Sequence, residues 1–208
     1  MGREKELLAL CMIIVVVSFL GFVVENIWLA MTKGFMDNRN MYLPFLVGYG
    51  LAIMAIFMLF GTPMNPWFLG RKFAIEKKLL KRMLYFLLVM LCVCVGEILL
   101  GTLVEKLCHF YWWDYSRLPL HITRYTTLPT GAGFAVMITI FMEHFFVPLA
   151  NIFMAWEIKK LRFIAIGMMI LLMQDFVINA YRMYKDKKMT KKWEIDMTNS
   201  LGYRLLHS

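Results

Sequence analysis

The chain has 208 residues, of which 61% are hydrophobic and 18% charged, and its mean hydropathy is +0.63. That leaves too little polar surface to cover a water-soluble globule. The net charge of +9 sits mainly in short segments between apolar runs, a pattern of anchoring to lipid rather than of binding nucleic acid.

Apolar runs of about 20 residues, the length needed to cross the hydrocarbon, recur along the chain. Backbone groups in lipid must bond within their own segment, so these runs are read as helices. The fold class is therefore all-α: a polytopic integral membrane helix bundle of about five transmembrane helices. Residues 1–181 form the transmembrane helical domain and residues 182–208 a basic tail.

The first span is expected at residues 7–31. It resembles a signal peptide in outline, but the apolar run is too long and no small-residue cleavage site closes it, so it reads as a retained signal anchor. A polar loop, 32–42, leads to the second span, 43–61. A loop with Pro63 and Pro66 then opens into a basic stretch, 71–82. The third span is 83–108, followed by an aromatic and polar segment, 109–127. The fourth is 128–156, with a kink expected at Pro148, and the fifth is 161–181.

Lysine and arginine set the orientation. The second-to-third loop holds Arg71, Lys72, Lys77, Lys78, Lys81 and Arg82, whereas the loops on the other side hold fewer. This predicts a multi-pass protein of the cell membrane with a cytoplasmic N-terminus. Five spans then put the tail outside, although it carries Arg182, Lys185, Lys187, Lys188, Lys191, Lys192 and Arg204. If the tail obeys the rule, one segment after Cys108 must be re-entrant or double. The overlong fourth run, with Glu143, His144 and Pro148, is the candidate. No repeat of 20–50 residues is visible. Cys11, Cys92, Cys94 and Cys108 read as small buried hydrophobes rather than a disulfide frame.

Function is expected to lie in the ionisable residues carried into the bilayer, where an aspartate at a helix centre costs about 2.5–3.5 kcal/mol on insertion scales. Glu25, Glu97, Glu105, Glu143 and Asp175 fall within or at the edges of apolar runs and need partners or water. At about 1.5 Å per residue, Glu25 lies roughly 27 Å along the first helix and Glu105 roughly 33 Å along the third, with Glu97 about 12 Å earlier. Both helices start on the same side, so the three glutamates share the distal half of the membrane. Arg39, Asp114 and Arg124 lie in the loops of that side. Glu97, Gly101 and Glu105 share one helix face, and Gly96, Gly101, Gly48 and Gly50 offer close-approach surfaces. The segment 109–127 is long enough to be a lid. These charges read either as a polar cavity for transport or catalysis, or as buried ion pairs that pin the helices.

Three blocks of residues carry a resemblance. The first runs from Gly21 to Trp28 around Glu25. The second runs from Asn38, Arg39 and Asn40 through Leu43 and Pro44 to Gly48, Tyr49 and Gly50. The third comprises Glu97, Gly101, Glu105, Trp112, Trp113, Asp114, Tyr115, Ser116 and Arg124. Over roughly residues 20–135 the chain resembles the CmpB-like putative ABC-transporter permease family of small multi-span membrane proteins. It departs from the family pattern at Asn40, where glycine is usual, and at Tyr125 and Thr126, where an apolar residue and a cysteine are usual. The resemblance implies a permease.

No Gly-x-x-x-x-Gly-Lys-Ser/Thr phosphate loop occurs. A permease role would thus need a separate ATPase subunit or an ion gradient. Glu105 and His109, four residues apart, could form a metal site with Asp114 or His121, but such spacing is common by chance, and no metal or cofactor is expected. The expected function is membrane transport, as an ABC-type permease subunit or small carrier with a polar carboxylate and arginine cavity in one half of the membrane. The candidate substrate-binding residues are Glu25, Asn38, Arg39, Glu97, Glu105, Asp114, Tyr115 and Arg124. The alternatives are a membrane-embedded enzyme acting on a lipid-like substrate and an assembly or regulatory subunit. The expected partners are the lipid bilayer, an ATPase subunit and a second copy of the chain.

Overall fold

A computed structural model describes residues 2–68 and 70–207. Its helices are α1 (Gly2–Thr32), α2 (Val47–Phe60), α3 (Lys78–Cys108), α4 (Leu128–His144), α5 (Phe146–Ala155), α6 (Ile158–Asp186) and α7 (Leu201–His207). Short strands punctuate the loops: β1 (Phe35–Asp37), β2 (Gly61–Thr62), β3 (Asn65–Phe68), β4 (Arg71–Lys72), β5 (His121–Thr123), β6 (Thr126–Thr127) and β7 (Glu194–Asp196). The architecture is an all-α membrane helix bundle.

Three helices, α1, α3 and α6, are long and apolar enough to cross a bilayer. The bent pair α4 and α5 makes a fourth if it counts as one span. The second apolar run, expected to span, forms the 14-residue α2. At about 21 Å it is shorter than the roughly 30 Å of hydrocarbon. The fourth run breaks at Phe145 with a bend of 44°, three residues before Pro148. Pro148 has no N–H to give the His144 carbonyl four residues earlier, and its ring crowds that carbonyl, so the break falls one turn upstream of the proline.

The chain divides into two compact units, Met1–Ala52 with Phe153–Ser208, and Ile53–Ile152. In the first unit α1 and α6 run parallel. Glu4 and Arg162 pair at 2.6 Å at their starts. Beyond their ends β1 pairs antiparallel with β7, Phe35 opposite Asp196 and Asp37 opposite Glu194. The basic tail thus returns to the end of α1 that leads into the α1–α2 loop. Val15, Val47 and Leu172 form one apolar cluster, and Phe22, Met41 and Leu46 another. Gly50 lets α2 lie against the Ile14 carbonyl and the Ser18 hydroxyl, whereas Gly48 faces open space.

Buried Asp175 of α6 fixes the entry to α2. It accepts the Tyr42 and Leu43 amides at 2.9 and 3.0 Å and the Asn179 amide at 2.7 Å. This membrane carboxylate is served by three N–H donors, and the Lys192 ammonium, held on Asn179, adds positive charge at longer range. Residues 43–46 are consequently loop, and α2 starts at Val47.

In the second unit α3 and α4 run antiparallel. At one end Arg82 grips Glu143 through both carboxylate oxygens, its Nε lying 2.9 Å from each. At the other end β6 runs straight into α4, whose N-terminus is closed by a capping box of Thr127 and Thr130. Gly131 sits against the Cys94 sulfur. Tyr85, fully buried, donates to the Gly61 carbonyl at 3.0 Å. Gly96 faces open space, so of the two glycines expected to admit a neighbour on α3 only Gly101 does so, and a tyrosine ring rather than a helix meets it.

Candidate functional site

In the first unit Glu25 lies seven residues before the end of α1. Tyr49 of α2 lays its ring across Gly21, one turn earlier, and donates its hydroxyl to Glu25 Oε1. A side chain at position 21 would displace that ring, so the glycine is what admits the donor. The Arg39 guanidinium approaches Glu25 Oε2 at 3.4 Å and Asp37 at 3.7 Å. Arg39 and Asn40 both have left-handed backbone, φ 46° and 67°, and the Asp37 carboxylate holds this turn by accepting the Arg39 amide at 2.8 Å.

The two asparagines beside Arg39 serve the tail. Buried Asn38 donates to the Met41 and Thr190 carbonyls and accepts the Lys192 amide at 2.9 Å. Buried Asn40 accepts the Thr190 amide at 2.8 Å. Lys192 also reaches Asn179 at 3.0 Å and lies on the Tyr42 ring. Its burial lowers the ammonium pKa, against the opposing pull of Asp175.

The second unit gathers the other residues around the end of α3. Tyr125 lays its ring across Gly101 and donates its hydroxyl to Glu105 Oε2. Burial, with the bond to Glu105, pushes its phenol up to about 12. Trp113 packs edge-on against Tyr125 and donates to its carbonyl at 2.8 Å. The Tyr115 amide donates to the Arg124 carbonyl at 2.7 Å. Asp114, exposed, closes its own turn on the Ser116 amide at 2.8 Å. That bond, with smaller help from Arg124 and Arg117, holds its carboxyl below the usual range. The Arg124 guanidinium lies 4.1 Å from the centre of the Tyr111 ring. Contact with Tyr111, then the charges of Asp114 and Glu105, raises its pKa. Glu97 is half-buried two turns before Glu105, on the Gly101 face.

The predicted residues therefore fall into two groups: Glu25, Asn38 and Arg39 in one unit, and Glu97, Glu105, Asp114, Tyr115 and Arg124 in the other. Sequence reasoning missed the two hydroxyl donors, Tyr49 and Tyr125, and also Asp37 and Tyr111. The available signal was a glycine one helical turn before each glutamate. Two open grooves, of about 550 Å³ on α6 beside Tyr181 and Arg182 and about 350 Å³ between Phe86 and Ile140, contain none of the predicted residues. Among the described residues no group of three or more His, Cys, Asp or Glu side chains is arranged to hold a metal.

A helical bundle of this hydropathy, carrying glutamates held by phenol hydroxyls near the ends of its spans, is an integral membrane protein. The chain belongs to the family described as putative ABC-transporter type IV, which matches residues 12–180. No curated protein and no solved structure matches it.

Proposed function

We propose that the chain is the membrane-embedded permease subunit of a transport system. Glu25, Arg39 and Asn38 in one unit, and Glu97, Glu105, Asp114, Tyr115 and Arg124 in the other, would serve substrate binding. One observation carries this reading. The protein contains a carboxylate braced as a structural group should be: Glu143, gripped through both oxygens by Arg82. Glu25 and Glu105 are held differently. Each takes a neutral hydroxyl on one oxygen, and the guanidinium nearest Glu25 stands off at 3.4 Å. A carboxylate left with acceptor capacity near a membrane surface is fit to meet a ligand.

The family and the absence of a phosphate-binding loop in the sequence support a separate ATPase subunit as partner. The test is affinity purification of the full chain from native membranes, followed by ATP hydrolysis in nanodiscs. An ATPase subunit should co-purify, and Glu25→Gln or Glu105→Gln should lower substrate-stimulated hydrolysis at least tenfold while leaving assembly intact. Co-purification of no ATPase, or full activity in both variants, would overturn the reading.

A further inference from the structure

The sequence aligns with itself outside the usual window for short repeats. Gly21, Val24 and Glu25 match Gly101, Val104 and Glu105, and Arg39, Leu43, Pro44 and Gly48 match Arg124, Leu128, Pro129 and Gly133. Tyr49 and Gly50 correspond to Phe134 and Ala135. The loop between glutamate and arginine is the only part that differs in length, with the arginine 14 residues on in the first copy and 19 in the second. Each copy is a 31-residue helix, a polar loop holding an aspartate turn, and a helix entered just after or at Leu-Pro.

What the two copies keep is informative. Asn38 and Asn40, which clamp the tail, become Thr123 and Tyr125. The tyrosine across the glycine comes from α2 in one copy and from the β5–β6 turn in the other. The ion pair itself is not kept: Arg39 faces Glu25, whereas Arg124 lies over Tyr111 and makes no ion pair with Glu105 within 4.0 Å among the described residues. A brace would be preserved as a pair. Here one glutamate and one arginine are preserved and their pairing is not. Each copy also leaves a buried polar atom without a hydrogen-bond partner, Arg39 Nε itself and the Oγ1 of Thr126, two residues after Arg124 in the sequence.

We infer that the chain is an internal duplication carrying two equivalent sites for a zwitterionic ligand, whose ammonium meets Glu25 or Glu105 and whose anionic oxygens meet Arg39 or Arg124. This rests on the proposed binding role of these residues and names its ligand chemistry. Depth fits a phospholipid headgroup. Helices of 31 residues extend about 46 Å, beyond the roughly 30 Å of hydrocarbon. Glu25 and Glu105 lie about 10 and 5 Å from the ends of theirs. The guanidinium supplies a fork for phosphate oxygens, and the glutamate rejects an anionic headgroup that has no ammonium.

Native mass spectrometry of the full-length chain tests this, with phosphatidylethanolamine, phosphatidylglycerol and soluble phosphoethanolamine as separate probes. Two phosphatidylethanolamine molecules should bind per chain, with phosphatidylglycerol at least tenfold weaker. Glu25→Gln and Glu105→Gln should each leave one, and the double variant none. Arg39→Gln and Arg124→Gln provide a second pair should a glutamate variant fail to fold. Two soluble phosphoethanolamine molecules, lost in the same variants without any bound lipid, would identify a free zwitterion as the source. A single bound molecule, two that ignore all four variants, or equal binding of phosphatidylglycerol would overturn the inference. Failure of the transport reading appears separately, as two-site binding in a chain that assembles with no ATPase.

Discussion

At the scale of single residues, three carboxylates illustrate three ways of keeping a charge in a membrane. Asp175 is satisfied by amides, Glu143 by a two-pronged arginine, and Glu25 by one phenol and a more distant guanidinium. The second arrangement has a clear energetic signature. The Glu143 side chain is 10% exposed, so removing Arg82 strands a carboxylate with little access to water. Truncating one partner of a buried pair costs about 3–5 kcal/mol, and because Arg82 is half-exposed the lower end applies. Arg82→Ala should therefore destabilise the protein by about 3 kcal/mol in a denaturant titration in detergent, and adding Glu143→Ala should recover much of the loss. If the double variant is as unstable as the sum of the single ones, the pair does not act as a unit. Sequence alone places Glu143 in an apolar run but names no partner, because Arg82 lies 61 residues away and only the antiparallel course of α3 and α4 brings it there.

Among elements, the helices are legible and their ends much less so. Runs of apolar residues predict α1, α3 and α6, because hydropathy decides their cores, but each helix runs five residues past its expected span at one end. The shortening of α2 is not legible, since it depends on Asp175 pinning the Tyr42 and Leu43 amides from 132 or more residues away. Strands β1 and β7 escape for the same reason: three residues each carry no periodicity, and they pair across the length of the chain. The overlong fourth run does announce itself, and its break follows from one missing donor. Pro148→Ala restores an N–H facing the His144 carbonyl. In hydrogen exchange the new amide at 148 should be as protected as its helical neighbours. Exchange at the rate of an open loop would assign the 44° bend to something other than the proline.

For the whole molecule, the parallel course of α1 and α6 constrains the passage through the bilayer. Their starts are joined by Glu4 and Arg162, and their ends by β1 and β7. Two parallel spans at the two extremes of a chain require an odd number of crossings, so α2 and the α4–α5 pair either both cross or both turn back. The correspondence of residues 43–50 with 128–135 favours like behaviour. In a cysteine-free background, Lys5→Cys and Lys188→Cys should react with a membrane-impermeant maleimide from opposite sides. Labelling of both from one side would refute the parallel arrangement. The basic tail thus accompanies the α1–α2 loop, and several of its cations are turned to local use: Lys191 on Glu194 and Phe35, Lys192 on Tyr42, Arg182 on Tyr42.

The β1–β7 pairing also orders events during synthesis. The unit built on α1 is discontinuous, and its last strand emerges about 160 residues after its first partner. The segment Ile53–Ile152 is contiguous and can complete its helix hairpin while the ribosome is still translating. Until the tail emerges, Asn38 and Asn40 lack the Thr190 and Lys192 backbone groups they clamp, whereas Glu25 already has Tyr49 and Arg39. The tail acts as the latch that closes the α1–α2 loop.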